Sequence, residues 1–366
     1  MMAERRQPTT PAAIARARAA AQRLSAPAAI APDALVAWLG AVQSQDYPLA
    51  LWSVAQRLAK KTRAAVERAF SGGAILRTHI LRPTWHFVAR DDLRWMQALT
   101  GPRVLAQLAT YDRRNGVDAR LVARSTKLVV DAIARRGHLT RREIADIFSR
   151  AGIKANAWVV AELLMHAELR AIVCSGVPRG AQQTYALVDE RAPKPVSMSR
   201  DEMLVELTRR YFQSHGPATA KDFQWWSGLT AGDVSRGIDM LGAMLTKVAA
   251  GDRTYLAIAA EKVRSRPDAA HLIQPFDELV VAYSESRDVV DVSGAARKDV
   301  PEGFALLTRG VVRDGQLIAR WRMTPARGPR GIAIEPLRRL LGVERTAAAA
   351  AAARFERYFF TSRGSH

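Results

Sequence analysis

Three times along this chain, apolar residues at helical spacing give way to two short β-rich runs separated by turn chemistry. The first instance runs from "PLALWSVAQRL" and "TRAAVERAF" into "ILRTHILRPTWHFVA", whose β-rich halves are separated by Leu81-Arg82-Pro83-Thr84. In the second, "HLTRREIADIF" carries the capping signature Thr140 with Glu143 three residues on, and "AWVVAELLMHAELRAIV" leads into "IVCSGVPRGAQQTYALV". The third runs from "MLVELTRRYFQSHGPATAKDFQWWSGLTAGDVSRGIDML" into "LTKVAAGDRTYLAI". Helices closed by a two-stranded hairpin are the grammar of a winged-helix unit, in which one helix can enter a groove while the wing touches the backbone. The repetition is structural, without obvious sequence identity between the units.

The flanking segments complete a mainly α fold with β. Residues 10–24 read as an Ala-rich helix with Thr10 as cap and Pro11 at its first position. "APDALVAWLGAVQSQ" reads as a second helix, which places Gln43-Ser44-Gln45 at a helix end. After Pro267 the pattern turns strand-rich through "HLIQPFDELVVAYS", "FALLTRGVV" and "QLIARWRM". "IEPLRRLLG" and "RTAAAAAAAARFERYFF" read as closing helices, alanine being the best helix former. The expected organisation is tandem winged-helix units at residues 10–97, 98–190 and 198–262, a small C-terminal β-barrel-like domain at 267–325, and closing helices at 332–360.

Lys and Arg number 55 against 35 Asp and Glu, a formal charge of +20 with a pI near 10.9. That excess favours a polyanionic partner, nucleic acid first and an anionic membrane surface second, although a general enrichment in Arg and Ala would also produce it. The charge is segregated: Arg77 to Arg150 holds 15 basic residues against 7 acids and Arg309 to Arg345 holds 9 against 3, whereas Glu261 to Asp291 holds 7 acids against 4 bases. A single cysteine, Cys174, rules out an intrachain disulfide and any multi-thiolate metal site, and makes the reducing cytoplasm the default expectation. No apolar run reaches the length of about 18 residues that a membrane span needs, and the N-terminus lacks a signal-peptide core. The closing "RGSH" is given no role.

Chemistry-bearing residues are few. Histidines 79, 86, 138, 166, 215, 271 and 366 include no pair at the four-residue spacing of a helical metal site, and none adjoins Cys174, so no metal or other cofactor is expected. No phosphate-binding Gly-Lys loop or dinucleotide-binding Gly pattern occurs. "RTHILRPTWHFV" gathers Arg77, His79, Arg82, Trp85 and His86 on one hairpin, with Arg77 and His79 on the same face; it suits a phosphate backbone or a pocket wall, or simply anchors a wing through Trp85 and Phe87. Of Trp225 and Trp226, a helix face can bury only one. Asp277 and Glu278 read either as paired catalytic carboxylates or as a strand cap and an arginine partner. Gln43-Ser44-Gln45-Asp46 reads either as a helix end turning into Pro48 or as a site whose two amides hold a water or a sugar beside one ionisable neighbour.

"AVQSQDYPLALWSVAQRL", "LRTHILRPTWHFVARDDLRWM", "GAQQTYAL", "GPATAKDFQWWSGL" and "LIQPFDELVVAY", in this order, resemble the winged-helix DNA-binding-domain family that includes the AlkZ- and YcaQ-type bacterial DNA glycosylases. The likeness covers about residues 10 to 325. It implies tandem winged-helix units around a DNA channel with a C-terminal β-barrel. The family's catalytic signature is Gln-x-Gln in the AlkZ-like branch and Gln-x-Asp in the YcaQ-like branch. Gln43 and Gln45 match the former, and Ser44 departs from its commonly apolar middle residue.

The resemblance implies a monofunctional repair glycosylase acting on alkylated purines in double-stranded DNA, with bulky adducts and interstrand crosslinks within its class of lesion. Substitution at N7 makes the purine a cationic leaving group that needs little general-acid help. What remains is to stabilise an oxocarbenium-like sugar and place a water behind C1′. Amide carbonyls can do both, though they are weak bases. Gln43 and Gln45 are therefore the expected catalytic residues, with Asp46, His79 and His86 as auxiliaries and Arg77, Arg82, Arg320 and Arg322 as DNA contacts. A monomer associated with the bacterial nucleoid is expected. The competing reading is a winged-helix regulator or architectural protein that binds duplex DNA and catalyses nothing.

Overall fold

Caps and glycines set the element boundaries in the computed structural model, which describes residues 9–60, 62–194, 197–259, 269–298, 306–324 and 331–360. Helix α1 (Pro11–Ala21) starts at Thr10, whose hydroxyl accepts from the Ala13 amide. Helix α2 (Pro32–Leu39) ends sooner than its apolar spacing suggests, because Gly40 adopts φ +76°. A side chain there would also crowd Trp226, whose ring would stand 3.1 Å from the added carbon. Residues 42–43 are therefore the short extended segment β1 (Val42–Gln43), and the Gln-x-Gln motif lies in the connection between two helices, not at a helix end. Helix α3 (Tyr47–Ala55) begins at Asp46, whose carboxylate accepts from the Leu49 amide at 3.2 Å.

Beyond α4 (Arg63–Ser71), strands β2 (Ile75–Ile80) and β3 (Arg82–Ala89) form the expected hairpin. Its turn is tighter than the four residues anticipated: Leu81 alone, at φ +64°, reverses the chain, so Arg82, Pro83 and Thr84 belong to β3. Helices α5 (Leu93–Asn115) and α6 (Ala119–Arg136) follow, then β4 (Leu139–Thr140) and α7 (Arg141–Arg150), which opens with the reciprocal capping box of Thr140 and Glu143. Helix α8 (Ala157–Leu169) leads to β5 (Val173–Ser175), β6 (Thr184–Leu187) and the single turn α9 (Val188–Arg191), with β6 between β4 and β5 in an antiparallel sheet.

Helices α10 (Arg200–Ser214), α11 (Ala220–Ser227) and α12 (Ala231–Leu241) precede the hairpin of β7 (Leu245–Ala250) and β8 (Arg253–Ile258). Three later expectations change. After β9 (Ala270–Ile273), "DELVVAY" is not a strand but the short helix α13 (Glu278–Val281), because the Asp277 carboxylate caps it through the Leu279 amide. In "FALLTRGVV" the strand is confined to β10 (Gly310–Arg313), its first two residues lying outside the described ones. "IEPLRRLLG" is not a helix: β12 (Ile332–Pro336) pairs with β11 (Gln316–Met323), where Pro336 is tolerated because β12 is an edge strand. Helix α14 (Gly342–Phe360) carries the alanine run. The antiparallel sheet β12-β11-β10-β9 is open among the described residues, where a barrel-like closure was expected. Pro267, the start of the acidic stretch and "RGSH" lie outside the described residues.

Contacts group the chain into two compact units: the described parts of Met1–Val66, Val205–Trp226 and Thr230–His366, and those of Glu67–Leu204 and Ser227–Leu229. The first is built on Ile14, Leu24, Tyr255, Ile273, Leu279, Val312 and Leu317. The second centres on Val129, Ile133, Ile144, Phe148, Val160, Leu164 and Val173.

Two fully buried ion pairs cross the first unit. Arg57 Nη2 meets Asp277 Oδ1 at 2.6 Å, and Arg18 Nη2 lies 3.6 Å from Asp222 Oδ2, with its guanidinium 3.7 Å from the centre of the Tyr283 ring. Arg57 also bonds the Ser53 hydroxyl and the Gln22 carbonyl, so its fork is well satisfied. Breaking such a pair from one side strands a charge in the interior, whereas an apolar pair of equal volume could replace both. Asp277→Ala should accordingly destabilise the protein by about 3–5 kcal/mol in denaturant unfolding; a change below about 1 kcal/mol would mean that Arg57 finds water or another acceptor.

Candidate functional site

The Gln-x-Gln segment is held by its backbone. The Gln43 amide donates to Glu278 Oε1 at 2.8 Å, and the Gln43 carbonyl accepts from Gln274 Nε2 at 3.0 Å. Glu278 Oε2 accepts from Trp226 Nε1 at 3.0 Å. The sequence left two readings of the acidic pair open, and the geometry selects the structural one: Asp277 neutralises Arg57 and caps α13, and Glu278 fixes Gln43. Gln43 and Ser44 are buried, Gln45 is exposed and Asp46 is half-buried, so the chain surfaces within three residues of a rigid anchor. Arg309 Nη2 lies 3.9 Å from Asp46 Oδ2. Asp46 therefore caps the start of α3 where the end of a helix was expected, and Ser44 lies buried between the two glutamines.

The network extends inward. Gln22 Nε2 donates to the Glu278 carbonyl at 3.1 Å and to the Tyr283 hydroxyl at 3.0 Å, and Tyr283 donates to the His215 carbonyl at 2.8 Å. Ser214 donates its hydroxyl hydrogen to the Arg210 carbonyl, which leaves its oxygen to accept from His215 Nδ1 at 2.8 Å. His215 Nε2 faces Glu278 Oε2 at 3.5 Å. Burial pushes the His215 pKa below its ordinary 6.5, against the opposing pull of Glu278. Trp226 is buried in this cluster and Trp225 is 44 % exposed, the division that a helix face requires.

The hairpin residues sit in the second unit. His79 is buried with its Nδ1 against the Glu168 carboxylate, and its ring centre is 4.5 Å from that of Trp85. His86 is buried and donates Nδ1–H to the Thr84 carbonyl at 2.9 Å. Arg77 and Arg141 both lie over the Trp85 ring, at 4.4 and 5.5 Å from its centre. Arg82 is half-buried in β3. Sequence reasoning missed Arg141 and Glu168; the one available signal was an acid, Glu168, set among the apolar residues of α8, a signal it shares with Glu162. Back in the first unit, Arg320 donates to the Ala296 carbonyl at 2.9 Å, and exposed Arg322 pairs with Glu335 at 2.5 Å. Among the described residues no cluster has the composition of a metal site, and no helix is long and apolar enough to cross a membrane.

Residues 36–358 match the family described as "DNA glycosylase AlkZ-like", a span that contains the whole Gln-x-Gln anchor. The chain belongs to the AlkZ-like DNA glycosylase family. It is 23 % identical over 309 residues to a protein of Streptomyces sahachiroi named "Interstrand DNA cross-link repair glycosylase", covering 79 % of this chain and 81 % of that one. The solved structure of Streptomyces sahachiroi DNA glycosylase AlkZ superposes with a TM-score of 0.78 over 96 % of this chain and 97 % of the other, at 21 % identity, a likeness of fold. The mixed α and β architecture is therefore that of AlkZ.

Membership of the AlkZ-like family gives the anchor a measurable consequence. Glu278 reaches Gln43 through the backbone, so it positions that residue without facing solvent. Glu278→Ala should lower kcat for base excision by tenfold or more while leaving KM for duplex DNA nearly unchanged; a change confined to KM would contradict positioning. For His215 the folded state resists the proton that the unfolded chain takes up, so its contribution to stability is present above about pH 6.5 and declines as pH falls below it. The unfolding midpoint should drop between about pH 7.5 and pH 5.5, and His215→Asn should flatten that drop in part, since burial also depresses His138.

Proposed function

We propose that this protein is a monofunctional glycosylase that hydrolyses the N-glycosidic bond of cationic, N7-substituted purines in double-stranded DNA. The observation that carries the reading is the clamped Gln43 backbone, which presents two amides one residue apart where a buried segment reaches the surface. An amide carbonyl can stabilise positive charge on the sugar and accept a hydrogen bond from an attacking water. In the proposed reaction the C1′–N9 bond breaks with its electron pair passing to the cationic purine, water adds to C1′, and the proton is lost to solvent. Gln43, held rigidly, faces the sugar; Gln45, exposed, orients the water; Asp46 raises the negative potential beside them. His79 and His86 are auxiliaries, and Arg77, Arg82, Arg320 and Arg322 are the proposed DNA contacts.

The finer architecture belongs to the same reading: three winged-helix units at 10–97, 98–190 and 198–262 and a strand-rich C-terminal module at 267–325, in a protein that acts as a monomer. The Streptomyces sahachiroi relative named for interstrand cross-link repair supports including bulky and crosslinked lesions in the substrate class. Ser44 replaces an apolar middle residue and is itself buried, so the substitution alters the interior side of the motif and leaves both amides in place.

The test is abasic-site formation on a duplex carrying one N7-methylguanine, scored as strand breaks after alkali. Gln45→Ala should slow excision on the order of a hundredfold, the scale of removing one polar group aimed at transition-state charge, with duplex affinity within about twofold. Equal loss of binding and excision, or no excision from any alkylated or crosslinked duplex, would favour the non-catalytic DNA-binding reading.

A further inference from the structure

A concavity of about 460 Å³ in the first unit has no residue of the Gln-x-Gln segment in its lining. Its walls include Trp52, Thr62, Arg63, Arg354, Arg357 and Tyr358, and no acidic residue lines it among the described ones. Arg354 and Arg357 stand one turn apart on α14, and neither has a carboxylate within ion-pair distance among the described residues. One Arg354 nitrogen donates to the Ala270 carbonyl at 2.6 Å, which fixes the side chain and leaves most of its five N–H groups for other acceptors. Arg63 lies 6.0 Å from the centre of the Phe359 ring. Burial, and then the charge of Arg357, hold the Arg354 pKa below its ordinary value, so Arg354 sits poorly solvated with an exposed cation one turn away. A C-terminal helix position alone accounts for Arg357 near the negative end of the helix dipole, but not for a cavity that Arg63 and Arg354 also face.

The aromatic side of the cavity is rigid. Trp52 Nε1 donates to the Leu272 carbonyl at 2.8 Å, and its ring packs edge-on against Phe355 at 5.2 Å and Tyr358 at 5.0 Å. Guanidinium forks match phosphate oxygens, and aromatic walls match a sugar or base. The volume falls within the range of sites for small organic molecules and far exceeds what a bare phosphate fills.

We propose that Arg63, Arg354 and Arg357, with Trp52 and Tyr358, form a nucleotide-phosphate subsite that holds a phosphate group together with the sugar or base attached to it. The glycosylase reading bears only on the source of that phosphate, the backbone of a DNA strand; the same chemistry would take a free nucleotide.

The experiment is calorimetric titration of the full chain with a 2′-deoxynucleoside 5′-monophosphate, and separately with a short undamaged duplex at several salt concentrations. Both are repeated with Arg357→Gln, whose exposed position spares the fold, and with Lys127→Gln as a surface control. Arg357→Gln should weaken duplex binding about tenfold and reduce the slope of log affinity against log salt by about 1, with Lys127→Gln near wild type. Loss of mononucleotide binding with duplex affinity retained would also support the subsite and assign it to free nucleotide. Unchanged binding of both ligands in Arg357→Gln and in Arg63→Gln would overturn it. Abasic-site formation enters none of these readouts, so failure of the glycosylase reading and failure of the subsite are separate results.

Discussion

The rest of the first unit depends on one buried dipeptide of opposite duties, Asp277-Glu278. Two ionised or ionisable carboxylates side by side in an interior repel each other and cost desolvation unless each has its own partners. The fold satisfies them in different directions: Asp277 turns to the Arg57 fork and the Ser53 hydroxyl, Glu278 to the Gln43 amide and the Trp226 indole. Those partners come from α3 and the turn that follows it, the Gln-x-Gln connection and α11. The pair therefore specifies how these elements meet as much as it stabilises them. Any slip in the register of one would leave a charged oxygen or an indole donor in the interior with nothing to bond.

That requirement bears on chemistry. An amide is a weak base and a weak acid, and gains catalytic value only through placement. Gln43 has both its backbone polar groups bonded by buried side chains, one of which, Glu278, is itself held by Trp226, so its own side chain starts from a nearly immobile Cα. Gln45 emerges two residues later, next to the capped start of α3. Rigid support for weak functional groups is the arrangement expected when the leaving group already carries positive charge and needs orientation more than proton transfer.

The periodic features of the fold were legible because each rests on local chemistry: the Thr140 and Glu143 capping box, the β7 and β8 hairpin, and the division of Trp225 from Trp226. The misreadings also have local causes. Helical spacing of Leu35, Val36, Leu39 and Val42 concealed the stop at Gly40, which combines a φ of +76° with the close approach of Trp226 from a helix distant in sequence. Ile334 and Pro336 looked helical beside the arginines that follow, yet β11 supplied a partner that no local window reveals. For the candidate site, the motif residues could be read, but their clamp could not. Nothing in "QPFDEL" says that one carboxylate faces an arginine and the next a backbone amide 235 positions away.

The excess of +20 charge also acquires structure when its arginines are sorted by what they touch. Arg18 and Arg57 are interior struts paired with Asp222 and Asp277 and contribute nothing to an external field of their own. Arg338 pairs with Glu344, so that charge is largely balanced where it stands, whereas the exposed pair of Arg322 with Glu335 is weak enough to open to a competing anion. Arg77 and Arg141 share the face of Trp85, an arrangement that keeps two guanidinium groups close on one aromatic support. Arg354 and Arg357 are likewise gathered beside Trp52 and Tyr358. Cations held together on aromatic supports repel each other unless an anion completes the site, and phosphate is the anion that a DNA glycosylase meets at every step along its substrate. Net charge by itself says only that polyanions are attracted; its distribution separates the arginines that hold the fold from those gathered on aromatic rings.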